Sequence, residues 1–146
     1  MFGGRDGEGK ILHTLKMFSL EEKKPQWKYP VIKGDPPAPR YGHTTLFYEP
    51  LGLLIIYGGK NEFLYGETGD ICFNDIRILN LEMMYWSHTS SYGLIPRVGR
   101  YLHAAAILDS KMWIFGGVEM KSYSNEDLKI VELSIYYFGF ILNLSL

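Results

Sequence analysis

Few side chains in this sequence are spaced to support chemistry. The histidines His13, His43, His88 and His103 could act as bases or metal ligands. Metal sites need ligands at short, regular spacing. The chain has no His-x-x-x-His, no cysteine pair and no carboxylate cluster of that kind. Cys72 has no motif around it and reads as an inert thiol at a strand edge. The run Gly3-Gly4-Arg5-Asp6-Gly7-Glu8-Gly9 is glycine-rich, yet it lacks the Gly-Lys-Ser/Thr ending that cradles phosphate. The expectation is no catalytic residue, no metal and no cofactor.

Other chemistry-bearing residues recur. Arg40-Tyr41-Gly42-His43 is matched by Arg100-Tyr101-Leu102-His103, and Asn74-Asp75-Ile76 by Glu126-Asp127-Leu128. A residue demanded at one place in every copy of a repeat is explained more simply by structure than by a single active site. Arg40 and Arg100 are expected to make structural ion pairs or hydrogen bonds, and His43 and His103 to be structural. Asp75 and Asp127 fall in separate copies, so they do not form an acid pair.

The elements that must position these residues follow from the repeat. An aromatic residue followed by two glycines occurs at Phe2-Gly3-Gly4, Tyr57-Gly58-Gly59 and Phe115-Gly116-Gly117, in steps of 55 and 58 residues. Each anchor is followed by a second matching segment: His13 to Leu20, Asn74 to Leu81 and Glu126 to Leu133. An aromatic residue comes next in each copy: Trp27, Trp86 and Phe138.

Leu51 to Tyr57 and Lys111 to Phe115 are short apolar runs ending at glycine, the pattern of strands buried on both faces. The segments around Arg77 and Lys129 alternate more and suit strands partly open to water. No stretch carries sustained helical periodicity, and Pro25 ends the one helix-prone run, from Ser19 to Lys24. Each copy therefore offers four short strands, enough for one antiparallel sheet. Pro36, Pro37, Pro39 and Pro96 mark the crossings between copies, where no amide donor is needed.

The order Arg-x-x-His, apolar run, aromatic-Gly-Gly, variable loop, acidic-apolar strand with Leu, then Trp resembles the kelch motif. Kelch repeats build the blades of β-propellers, and a period near 50 residues fits. The resemblance implies an all-β fold of about three four-stranded antiparallel blades, a partial propeller over 1–146. An incomplete first repeat spans 1–34, a complete repeat 35–93, and a third repeat with an atypical apolar end 94–142. The structural motif positions are Gly3, Gly4, Trp27, Arg40, His43, Gly58, Gly59, Trp86, Arg100, His103, Gly116 and Gly117. The glycines are expected to let a neighbouring aromatic ring approach closely, with Trp86, and more loosely Trp27, lying across a glycine pair. Trp113 precedes a glycine pair in its own strand and is expected in the core.

Composition narrows the function. Fifteen basic and sixteen acidic residues give a net charge of −1, so no basic surplus exists to neutralise a nucleic-acid backbone. One cysteine rules out a disulfide scaffold and makes a reducing, cytoplasmic setting the default. The apolar stretch Ile135 to Leu146 is too short to span a bilayer, so no membrane association is expected. The resemblance implies a protein-interaction module, a scaffold or adaptor rather than an enzyme. The alternative is a regulatory propeller of a kelch-containing enzyme such as a protein phosphatase, with catalysis elsewhere. Copper oxidases on kelch-like propellers need a Tyr-Cys cofactor and ligands from a whole ring, which one cysteine in a partial ring does not supply.

The binding surface is expected on the longest variable loop, Lys60 to Phe73, where Phe63 and Tyr65 stand beside Glu67 and Asp70. The partner is expected to be a protein. Self-association through open blade faces is a further expectation.

Overall fold

The computed structural model describes residues 1–21, 23–63, 71–88, 98–108, 111–119 and 138–141. These residues form short strands in successive packed sheets.

The first repeat supplies β1 (Phe2–Arg5) and β2 (Ile11–Leu15), which pair antiparallel, and a small ribbon of β3 (Met17–Phe18) with β4 (Trp27–Lys28). A crossing strand, β5 (Lys33–Gly34), leads into the second repeat. There β6 (Thr44–Tyr48), β7 (Leu53–Tyr57), β10 (Ile76–Asn80) and β11 (Tyr85–His88) form an antiparallel meander, with the ribbon β8 (Lys60–Asn61) and β9 (Ile71–Cys72) inserted after β7. The expected four strands are thus present. The structure adds β5 as a fifth, lying parallel to β11 on the outer edge.

In the third repeat, β12 (Arg100–Tyr101) pairs with β15 (Val118–Glu119), and β13 (Ala104–Leu108) pairs with β14 (Lys111–Phe115). The edge of β14 that corresponds to the β10 edge of β7 is taken by β16 (Phe138–Ile141). Phe138, matched to Trp86 in sequence, is therefore one strand further in than that match implies. An apolar, β-prone run supplies the backbone partners that β14 needs. The segment Glu126 to Leu133 lies outside the described residues.

Two apolar layers join the repeats. Phe2 and Leu15 of the first repeat pack with Ile56, Leu79 and Trp86 of the second. The opposite face of the second repeat, Leu53, Ile55, Tyr57, Ile76 and Ile78, packs on Met112 and Ile114 of the third. Alternation along β7 thus sends one side chain to each neighbour in turn, which is why the strand is apolar throughout.

The same pattern in β14 has a different outcome. Met112 and Ile114 are buried, while Trp113 and Phe115 are 42% and 48% exposed. Trp113 is therefore not in the core, because no described sheet covers its side of β14. Trp27 also departs from expectation. It is 51% exposed and tilts against Phe18 at 5.0 Å between ring centres, at the edge of the first repeat rather than across a glycine pair.

Candidate interaction surface

The residues beside the glycine pairs decide what this surface can do. Gly3 and Gly58 have φ values of +59° and +67°, in the left-handed region that glycine tolerates without penalty. What lies over them is not tryptophan. A methyl group on Gly3 would meet the Arg40 carbonyl oxygen and the His43 ring, and one on Gly58 the Arg100 carbonyl oxygen and the His103 ring. Trp86 instead packs edge-on against Phe2, with ring centres 5.6 Å apart. Each first glycine is therefore a seat for the Arg-x-x-His segment of the next repeat. The Gly4 and Gly59 amides donate to the Arg40 and Arg100 carbonyls, at 2.9 and 2.8 Å.

The arginines close this arrangement from inside. Arg40 is fully buried and donates to the Gly58 carbonyl at 3.0 Å and to both Asp75 carboxylate oxygens. Its guanidinium also lies 4.0 Å from the Phe73 ring centre. Arg100 repeats the pattern, donating to the Gly116 carbonyl and to Glu119. Asp127 lies outside the described residues. Burial pushes the Asp75 carboxyl up, but the Arg40 hydrogen bonds and charge outweigh it and hold the group below its ordinary range.

Burial first, and the neighbouring arginines second, lower His43 and His103 to about 4. Both rings are edge-on to the aromatic residue of the preceding glycine pair: His43 to Phe2 at 5.7 Å and His103 to Tyr57 at 5.1 Å. The second ring also shares a 2.8 Å hydrogen bond with Thr44. These geometries use the recurring charged residues in the framework.

A rim runs along the ends of the blades where the glycine-pair loops emerge. Arg5, directly after the first pair, stacks over the Tyr41 ring of the second repeat at 4.3 Å. Lys60, directly after the second pair, lies 5.4 Å from the Tyr101 ring centre of the third. The two tyrosines meet edge-on at 6.4 Å. Glu62 ties the row together, accepting from Arg5 and from the Tyr41 hydroxyl at 2.5 Å, and pairing with Lys60 at 3.4 Å. The Tyr41 hydrogen bond, with those from Arg5 and Lys60, holds the Glu62 carboxyl low despite some burial.

Phe63 extends from this row, 68% exposed, its amide fixed by the Asn61 side chain at 2.8 Å. Tyr65, Glu67 and Asp70 lie outside the described residues. Arg5, Lys60 and the two tyrosines were not singled out as a set in the sequence. Their signal was nonetheless present: a base one residue after a glycine pair, and a tyrosine one residue after each repeat arginine.

Among the described residues, no three His, Cys, Asp or Glu side chains come together as a metal site. No helix among them is long and apolar enough to cross a membrane.

Comparison with known proteins agrees with this geometry. Residues 1–136 match the KLHDC2/KLHL20/DRC7 Kelch-repeats domain. The chain is 31% identical over 124 residues to acyl-CoA-binding domain-containing protein 5 of Arabidopsis thaliana, covering 84% of this chain and 17% of that protein. It is 35% identical over 91 residues to human host cell factor 2, covering 62% of this chain and 11% of that one. It is 32% identical over 132 residues to the Rho GTPase-activating protein gacHH of Dictyostelium discoideum, covering 89% of this chain and 8% of that one. The chain thus spans less than a fifth of each of these relatives. The solved structure of YjhT superposes with a TM-score of 0.57 at 23% identity, over 71% of this chain and 27% of that one. With blades of this topology, glycine-pair seats filled by Arg-x-x-His segments, and a family match over residues 1–136, the chain belongs to the kelch-repeat family and forms kelch-type β-propeller blades.

Proposed function

We propose that this chain is a non-catalytic protein-interaction module, a scaffold or adaptor element, that contacts its partner through the rim of the glycine-pair loops. The observation carrying this reading is the division of labour between buried and exposed groups. Arg40, Arg100, His103 and Asp75 are engaged in holding strands together. Phe63, 68% exposed, stands beside an ordered row of Arg5, Tyr41, Glu62 and Lys60. An accessible aromatic anchor beside paired charges suits a protein partner.

The relatives support the same reading from another direction. Their names describe acyl-CoA binding, a host cell factor and a GTPase-activating protein, and the matched segment is a small part of each. A segment common to such different proteins is better read as an interaction frame than as the seat of any one activity. The gacHH likeness also keeps a second reading in view, in which these blades regulate an enzyme whose catalytic domain lies elsewhere.

The test is affinity capture from cells followed by mass spectrometry, comparing the unaltered protein with a Phe63→Ala, Tyr65→Ala variant. We expect specific partners to be lost while the melting temperature stays unchanged. Identical capture by both proteins would remove the loop from the binding surface.

A further inference from the structure

We propose that Leu102 is an apolar contact point of the rim, held in a strained backbone conformation to meet an aliphatic or aromatic side chain of a protein partner. This role rests on the rim's being the surface that meets the partner.

The fold asks for a left-handed residue at the same place in two copies of the repeat. In Arg40-Tyr41-Gly42-His43 that residue is Gly42, with φ +65°, and in Arg100-Tyr101-Leu102-His103 it is Leu102, with φ +56°. Glycine adopts this region freely, whereas the Cβ of a leucine crowds the following carbonyl oxygen there. The second repeat uses the low-cost residue and the third does not. Among the described residues, the other non-glycine with positive φ is Met84, at +48°. Met84 is half-buried, and its carbonyl accepts from the Lys33 amide at 3.0 Å, which fastens β5 to the hairpin between β10 and β11. Leu102 obtains less from the fold. Its amide donates to the Gly42 carbonyl at 2.7 Å, a bond that glycine would make equally well. Its side chain lies beside Gly42 yet stays 65% exposed. A strained backbone that displays an apolar side chain to water carries two costs, and such outliers cluster at ligand-binding positions.

The neighbours of Leu102 define what it meets. Tyr101, directly before it, is edge-on to Tyr41, and the Arg5 and Lys60 cations lie 4.3 and 5.4 Å from the centres of the Tyr41 and Tyr101 rings. Glu62 pairs with both cations and accepts from the Tyr41 hydroxyl. The charges of the row are thus engaged with one another. Leu102 and Phe63, 65% and 68% exposed, stand open on the same rim. An exposed leucine beside paired aromatic rings fits an apolar side chain, because contact removes both from water. A protein segment with an aliphatic or aromatic residue has that chemistry; a phosphate or carboxylate alone does not.

The test uses the full chain and peptides selected on it from a random-sequence phage library. Enriched peptides should share an aliphatic or aromatic residue. Leu102→Gly should weaken their binding about tenfold, and the melting temperature should stay equal or rise because glycine relieves the backbone. Leu102→Met should keep most of the affinity. Exchanging the shared apolar peptide residue for serine should cause a similar loss, and the two losses should not add, as for groups in contact. Raising the salt from about 50 to about 500 mM should change the affinity less than about twofold. Unchanged binding by Leu102→Gly, where Phe63→Ala abolishes it, would overturn the role of Leu102 and leave the rim as the binding surface. Indifference to both substitutions would overturn the rim as well. A melting temperature several degrees lower in Leu102→Gly would show that the leucine serves packing on Gly42, and a steep salt dependence would show an anionic partner; either result overturns the proposal.

Discussion

Arg40 holds both carboxylate oxygens of Asp75, at 2.6 and 3.0 Å, from a position with no solvent exposure. The same guanidinium binds the Gly58 carbonyl, so one side chain joins the start of β6, the end of β7 and the start of β10. Removing it leaves the buried Gly58 carbonyl without its donor and the partly buried Asp75 carboxylate with Arg77 but without its two-pronged partner. Arg40→Ala should cost about 3–5 kcal/mol, the usual penalty for breaking a buried pair. Urea denaturation measures this, and Arg40→Lys should recover only part of the loss because an ammonium cannot reproduce the two-pronged geometry.

Acid should loosen the blade contacts. His43 and His103 are lowered to about 4 from an ordinary value of 6.5 by burial and by Arg40 and Arg100. The unfolded chain takes up these protons near pH 6.5, while the folded chain resists until about pH 4. Their contribution is therefore complete above pH 6.5 and is lost as pH falls from 6.5 to 4. Allowing for residual solvent contact, the loss is on the order of 2 kcal/mol for each histidine. Stability measured by urea between pH 7.5 and 4 should show this slope, and a His43→Gln, His103→Gln variant should flatten it.

Equivalent glycines should respond unequally. A valine at Gly58 would strike the Arg100 carbonyl and the His103 ring as well as straining the backbone, so several kcal/mol of stability should be lost. At Gly116 the space is open, and only the left-handed strain remains, about 1–2 kcal/mol. Thermal melts of the two variants side by side check the difference; equal losses would show that Gly116 is covered as closely as Gly58.

The cation–aromatic row should matter for recognition more than for folding. Arg5→Ala removes the stack on Tyr41 and one partner of Glu62, both partly exposed. A surface pair of this kind contributes about 1 kcal/mol or less. The melting temperature should fall by only a few degrees, while partner affinity should drop if the row is contacted.

The fold was legible because the repeat encodes it several times over. Phe2, Tyr57 and Phe115 recur with their glycines, and the segments headed by Arg40 and Arg100 recur with their histidines, so strand order followed from alignment of the chain with itself. Burial was less legible. β7 and β14 have the same apolar pattern, but whether Ile55 or Trp113 is covered depends on the sheet next to it, which no strand's own sequence contains. Trp27 illustrates the same point at the other end, where it stays half exposed and tilts against Phe18 at the edge of the first repeat. The rim was harder still. Arg5 and Tyr41 lie far apart in sequence and meet only because one repeat seats on the next.

Hydrogen–deuterium exchange on the full chain, with and without a captured partner, tests the interaction role most directly. Protection on binding should concentrate in residues 4–10, 41–43, 60–63 and 101–103, which carry the glycine-pair loops and the Arg-Tyr segments, and should leave β10 and β11 unchanged. Protection confined to β10, β11 and the outer edge at β5, with the rim unaffected, would contradict a partner-binding rim.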